Sequence, residues 1–134
     1  MTQEEKNLLY KDLCARLPYG VKIQTDYTDI KTLEGIQFPN YIGISDGYYS
    51  LDDMECKPYL RPISSITDEE KRELNGLLSE VYDFTFRMDE LLEFIQMQKE
   101  IPFRYIDWFN SYHFDYRGLI PMGLAIDCSN LNIY

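Results

Sequence analysis

His113, the only histidine in the chain, stands two residues before Asp115 and one to two helical turns after Asp107. An imidazole with two carboxylates is the beginning of a metal-dependent site, but such a site needs a third ligand and no second histidine can supply it. Asp127 or Cys128 would have to reach across. A histidine at a helix end, favoured by the dipole or hydrogen-bonded to a nearby carbonyl, is the more common arrangement. The nucleophile candidates are Cys14, Cys56 and Cys128. Cys14 lies beside Leu13 and reads as a buried thiol, and nothing in the spacing places the other two near His113. No Cys pair has C-x-x-C spacing, and there is no phosphate-cradling glycine loop, H-E-x-x-H or G-x-S-x-G. No catalytic residue, metal site or cofactor is therefore assigned, and the chain is expected to work without its own catalysis.

Arg117 offers a different chemistry. A planar guanidinium between Tyr116 and Gly118 can stack on a ring and still bond a carboxylate, with Asp107 or Asp115 as the expected partner in a local clasp. Arg61, between Leu60 and Pro62, can act similarly. Asp52, Asp53 and Glu55 form a carboxylate cluster able to attract a cation or a basic partner, although a solvated acidic loop is far commoner.

These residues must be positioned by an unusually aromatic segment. Seven of the fourteen residues from Phe103 to Tyr116 are aromatic, and the only Trp is among them. Tyr105, Trp108, Phe109 and Tyr112 fall at i, i+3, i+4 and i+7, while Arg104, Asp107 and Ser111 leave only a narrow polar stripe. A helix starting at Pro102 and apolar round most of its circumference is packed on more than one side. Either it lies between sheet and helices, or one face awaits a partner. Gly118 reads as its left-handed stop. The candidate binding residues are Trp108, Tyr112, His113, Asp115, Tyr116 and Arg117.

The rest of the chain reads as α+β in a single domain, 1–134. Thr2 and Glu5 form a capping box for a helix through Arg16, with Leu9, Leu13 and Leu17 on one side. Val21, Ile23 and Thr25 alternate with polar residues as a strand, and Tyr27–Asp29 reads as the turn after it. Ile30 to Phe38 is expected as a second strand with a bulge at Gly35. Tyr41 to Ile44 and Tyr48 to Leu51 follow, joined by an Asp46-Gly47 hairpin turn. These four antiparallel strands must cover one face or curl into a small, SH3-like barrel. Pro58 and Pro62 force an extended path with Leu60 and Ile63 pinned to the core. Thr67 and Glu70 cap a helix bearing Leu74, Leu77, Leu78 and Val81, in which Gly76 implies a close packing contact. Residues 81–87 fit strand or helix, Asp89 can cap a third helix, and a short strand is expected near the C-terminus.

The net charge is −10. Such a field repels phosphates, so direct nucleic-acid binding is not expected. Attraction to a basic partner, or imitation of nucleic acid by an acidic inhibitor, is the sharper reading beside plain solubility. Twelve tyrosines fit amphipathic surfaces. No apolar run approaches the roughly 20 residues of a membrane span, the N-terminus lacks a signal-peptide pattern, and a reduced cytoplasm with a monomer or small homo-oligomer is the expectation.

Three blocks carry a resemblance: Asp12 to Lys22 (DLCARLPYGVK), Lys57 to Ser65 (KPYLRPISS, leading into the Thr67 cap) and Asn110 to Ala125 (NSYHFDYRGLIPMGLA). They cover about a third of the chain. In them the sequence resembles a family of small uncharacterised proteins encoded by gut anaerobic bacteria and their phages or mobile elements. The resemblance implies an intracellular bacterial or phage setting and assigns no chemistry. The function expected is that of a small interaction or regulatory protein acting on an unknown protein partner.

Overall fold

The Thr2 hydroxyl accepts the Glu5 amide at 3.1 Å while the Glu5 carboxylate accepts the Thr2 amide at 2.8 Å. This reciprocal cap satisfies two otherwise orphaned donors and launches α1, Gln3–Arg16. The computed structural model describes residues 1–26, 29–81 and 103–134. The inward stripe of α1 is Leu9, Asp12, Leu13 and Arg16, so half of what this helix buries is charged. A 3₁₀ turn, Leu17–Tyr19, follows and stops at Gly20, whose φ of +68° is left-handed.

Among the described residues, seven short strands then form two sheets. β1 (Lys22–Gln24), β2 (Ile30–Thr32), β6 (Lys57–Leu60) and β7 (Ile126–Asp127) make the larger, in the order β2-β1-β6-β7. β3 (Gly35–Gln37), β4 (Tyr41–Ile44) and β5 (Gly47–Ser50) make the smaller, in chain order. Among the described residues the strand pairings are antiparallel except β6 with β7, and an isolated bridge, Arg61 with Phe114, is also parallel. The α+β class, the N-terminal helix, the antiparallel strands and the short C-terminal strand stand as expected. The single curled meander does not, because the stretch from Ile30 to Phe38 is two strands. The Leu33 amide donates to the Val21 carbonyl at 3.0 Å, and the next amide, Glu34, donates to the Gly43 carbonyl at 2.8 Å. Successive backbone donors are thus handed to different sheets, and no SH3-like barrel closes.

The hairpin turn also moves. Ile44 pairs with Gly47, so the loop is Ser45–Asp46, one residue earlier than the Asp46-Gly47 signal. Gly47 takes its positive φ (147°) as the first residue of β5. The prolyl stretch is extended, as expected, but it is also the middle of the larger sheet. Pro58 faces Ile23 of β1, and the parallel ladder to β7 begins only at Tyr59, so the missing proline N–H does not interrupt the β7 ladder.

Gly35 is not a bulge. The register Gly35–Gly43, Ile36–Ile42, Gln37–Tyr41 runs without a skip. Gly35, Gly43 and Tyr48 form one cross-strand row, and the Tyr48 side chain lies over both glycines. A Cβ on Gly35 would stand 2.6 Å from the Tyr48 hydroxyl, and one on Gly43 2.9 Å from the ring. Gly43→Ala is therefore expected to lift the ring and cost about 1–3 kcal/mol. The part due to the ring should vanish in a Tyr48→Ala background, leaving the 3.2 Å approach to the Gly35 Cα, and urea unfolding of the double-mutant cycle will separate the two.

A second capping box, Thr67 with Glu70 (2.9 and 3.2 Å), starts α2, Asp68–Val81. Leu74 is buried and Leu77 partly so. Among the described residues no atom beyond its own stretch of helix lies within 4 Å of where a Gly76 Cβ would be. The turn at Tyr27–Thr28, the ambiguous run after Val81 and the helix from Asp89 lie outside the described residues.

The aromatic helix, α3 (Phe103–Ser111), buries Tyr105, Trp108, Phe109 and Asn110 and is a core element. It ends well before Gly118. His113 takes the left-handed φ of +63°, its amide donates to the Asn110 carbonyl at 3.1 Å, and the Phe114 amide reaches the Phe109 carbonyl at 2.9 Å. That pair of bonds is a Schellman stop with histidine where glycine is usual. Among the described residues, two apolar clusters result. One gathers Leu9, Leu13, Ile23, Ile42, Leu60 and Leu119 between α1 and the sheets. The other is Ile66, Leu74, Tyr105, Trp108, Phe109 and Phe114.

Candidate functional site

The six candidate residues leave α3 in two directions. Trp108 and Tyr112 enter the aromatic cluster: the Trp108 ring lies 4.9 Å from Tyr112 and stacks on Phe114 at 5.7 Å with a 16° tilt. Trp108 is buried, and the Tyr112 hydroxyl donates to Glu73 of α2 at 2.7 Å. On the other side of the Phe114 backbone, Tyr116 and Arg117 meet α1.

The clasp foreseen for Arg117 exists with another partner. Its guanidinium lies 4.8 Å from the Tyr116 ring centre and bonds the Tyr116 hydroxyl at 2.9 Å, but its carboxylate is Asp12 at 3.0 Å, not Asp107 or Asp115. Asp12 is wholly buried and also accepts from Arg16 Nε at 2.8 Å. Arg16, equally buried, donates from Nη2 to the Phe114 carbonyl at 2.7 Å and also stands over the Tyr116 ring. One carboxylate thus serves two guanidiniums where the two apolar clusters meet. Sequence reading treated Leu9, Leu13 and Leu17 as the inward side and missed the charges between them; Asp12 and Arg16 at i, i+4 were the available signal.

Asp115 is buried, and its two oxygens accept the amides of Leu119 and Ile120, both at 2.9 Å. Asp107 accepts the Tyr19 hydroxyl at 2.8 Å. The His113 ring stacks on Tyr134 with centroids 3.5 Å apart, while its backbone carbonyl accepts the Arg61 amide at 2.8 Å. Burial, with Arg16, Arg61 and Lys22 nearby, lowers the His113 pKa to about 4. It is a neutral ring at the helix end, not a cation held by the dipole. His113, Asp115 and Asp107 are each committed elsewhere, and among the described residues no three His, Cys, Asp or Glu side chains come together as a metal site. Since His113 is the only histidine, one imidazole C–H resonance should titrate near pH 4 in the folded protein. A midpoint near 6.5 would place the ring in water.

The thiols offer no thiolate. Burial pushes Cys56 up to about 12 and also raises Cys128. Cys14 is exposed rather than buried, a correction that follows from its turning away from Leu13 on α1; partial shielding of its sulfur still raises its pKa. Cys56 borders a cleft of about 260 Å³ with Met1, Glu5, Lys57 and Met122, too buried a sulfur to act there as a nucleophile. Arg61 behaves as expected, forking onto Glu70 at 2.7 and 2.8 Å with its plane 4.3 Å from the Phe114 ring centre.

Three of the exposed large apolar side chains belong to the smaller sheet, while Ile30, Met122, Leu131 and Tyr134 are exposed elsewhere. Phe38, in the turn between β3 and β4, is 87% exposed, Tyr48 on its glycine floor 56%, and Tyr41 38%. Tyr41 and Tyr48 share the face opposite Ile42 and Ile44, since side chains alternate along paired strands. Sequence reading assigned nothing to these rings. The signal was two glycines in facing strands, one of whose meanings is a side chain lying on the bare backbone.

Known proteins give no further guide: no family model, curated protein or solved structure matches this chain. Among the described residues no helix is long and apolar enough to cross a membrane.

Proposed function

We propose that this chain is a small, non-catalytic interaction or regulatory protein of a bacterial or phage mobile element, acting in the cytoplasm. The observation that carries the reading is three exposed rings on the smaller sheet, Tyr41 and Tyr48 on one face and Phe38 in the turn between β3 and β4. Side chains able to do chemistry are used differently: His113 is neutral and stacked, Asp115 caps a turn, and Arg117 is tied to Asp12. Exposed aromatics of this density are what contact surfaces use, because a ring adds much apolar area with few rotamers to freeze. The mobile-element setting rests on the three sequence blocks alone.

The test is affinity capture from native host lysate with the wild type and with Phe38→Ser/Tyr41→Ser, read by mass spectrometry. A partner held by the first and lost by the second supports the reading; capture indifferent to the substitution removes this surface from it. The alternative is an acidic inhibitor imitating nucleic acid. It is favoured by the segment from Leu33 to Cys56, which carries Glu34, Asp46, Asp52, Asp53 and Glu55 without one Lys or Arg. Binding to a DNA-handling protein that collapses between about 50 and 200 mM salt would favour it.

A further inference from the structure

Tyr48 is held in a particular way. One side of its ring covers the bare backbone of Gly35 and Gly43, which leaves the other side turned to water as a flat platform. Tyr41 stands on the same face one register step away, paired through Ser50 of β5, and Phe38 closes that end of the hairpin. Carboxylates stand at both ends. Asp46 lies in the β4–β5 turn, and Asp52 is bonded to Asn40 at 3.0 Å beside Phe38 and Tyr41. Lys6 of α1 reaches Asp52 at 2.7 Å and Lys57 reaches Glu55 at 3.6 Å, so two of the five charges on Glu34, Asp46, Asp52, Asp53 and Glu55 are offset and the group stays net negative.

An aromatic floor with an acidic rim has a specific chemical complement. A guanidinium is planar, weakly hydrated, attracted to the face of a ring and able to bond a carboxylate from its edge. A nucleobase would also stack, but its phosphates meet the wrong sign of field. A second copy of this chain would set the same acids against one another across an isologous contact. Resting on the interaction reading above, we infer that the Phe38–Tyr41–Tyr48 face of the small sheet docks an arginine-bearing basic segment of a protein partner. The rings supply the flat contact, and Asp46 and Asp52 bind from the two ends.

The experiment uses the full chain and a fluorescein-labelled, arginine-rich peptide of about ten residues, read by anisotropy at about 50 mM salt. The expected result is saturable binding, weakened about tenfold in Phe38→Ser/Tyr41→Ser, which leaves the net charge unchanged. The same peptide with every arginine replaced by lysine should bind several-fold more weakly. Tyr48→Ser serves as a second variant, with circular dichroism confirming that each variant folds. Equal affinity of wild type and both variants would mean unspecific attraction to the acidic chain and overturn the inference, as would absence of binding. Self-association that the double variant abolishes would assign the face to a second copy and also overturn it. The two readings fail separately. A lysate partner lost with the double substitution but contacting through a neutral or acidic segment, located by cross-linking, sinks this inference and spares the interaction reading. A lysate partner indifferent to the substitution sinks the assignment of that reading to this surface.

Discussion

Asp12→Ala is expected to destabilise the protein by about 3–5 kcal/mol, the cost of leaving buried charge without its counter-charge. Two guanidiniums lose one carboxylate at once, and Arg16 has no solvent to turn to. Urea unfolding followed by the fluorescence of Trp108 reads the loss directly. The double variant Asp12→Leu/Arg16→Met should recover much of it, because replacing a buried pair by apolar side chains of similar volume is often neutral or favourable. A cost below about 1 kcal/mol for Asp12→Ala would show that water enters the knot and that the pair is not sealed between the two clusters. Arg117 would feel the loss less, since its side chain is partly open at the surface.

Glu70→Gln is expected to be the second large effect, and it is resolved by pH. The Arg61 fork lowers the Glu70 pKa from its ordinary 4.5 to about 2, helped by the Thr67 cap. A carboxylate whose pKa is depressed by folding adds stability above its unfolded value and loses it as pH falls toward the folded one. The contribution is therefore complete above about pH 4.5 and gone near pH 2, with a ceiling of about 3 kcal/mol. His113 adds an earlier loss of the same sign. Its ring is kept neutral, so folding resists protonation, and stability falls as pH drops from about 6.5 toward 4. Denaturant midpoints between pH 7 and 2 should decline in two stages. Glu70→Gln should flatten only the lower stage; an unchanged lower limb would move that dependence to another carboxylate.

Features written into adjacent residues were legible in the sequence. Both capping boxes, the alternation of Val21, Ile23 and Thr25, and the burial of α3 on several sides follow from spacing alone. Features that depend on distant partners were not. Arg117 offered the right chemistry, but which carboxylate it meets is decided by α1, 105 residues earlier. The stop of α3 at His113 was hidden because Gly118 is the stronger local signal, while the bonds from Asn110 and Phe109 decide the matter. The split of the meander at Leu33 and Glu34 could not be seen either, since nothing in two side chains says which sheet their amides will join. The exposed rings escaped for a related reason. Gly35 and Gly43 look like weak strand residues until their shared register with Tyr48 is known.

The parallel pairing of β6 with β7 has a consequence for how the protein is made. On the ribosome, Lys57–Leu60 can join Lys22–Gln24 early, yet its other side has no strand to join until Ile126 and Asp127 have been synthesised. The Tyr134 hydroxyl, which donates to the Tyr59 carbonyl 75 residues back and accepts the Lys22 amide, comes later still. Through that interval a nascent chain carries an open sheet edge of the kind that recruits wrong partners. Pro58 stands on that edge without an N–H to offer, and Pro62 lies shortly beyond it. Prolines that look ill-suited to the centre of a finished sheet are well suited to a strand that must wait as its border.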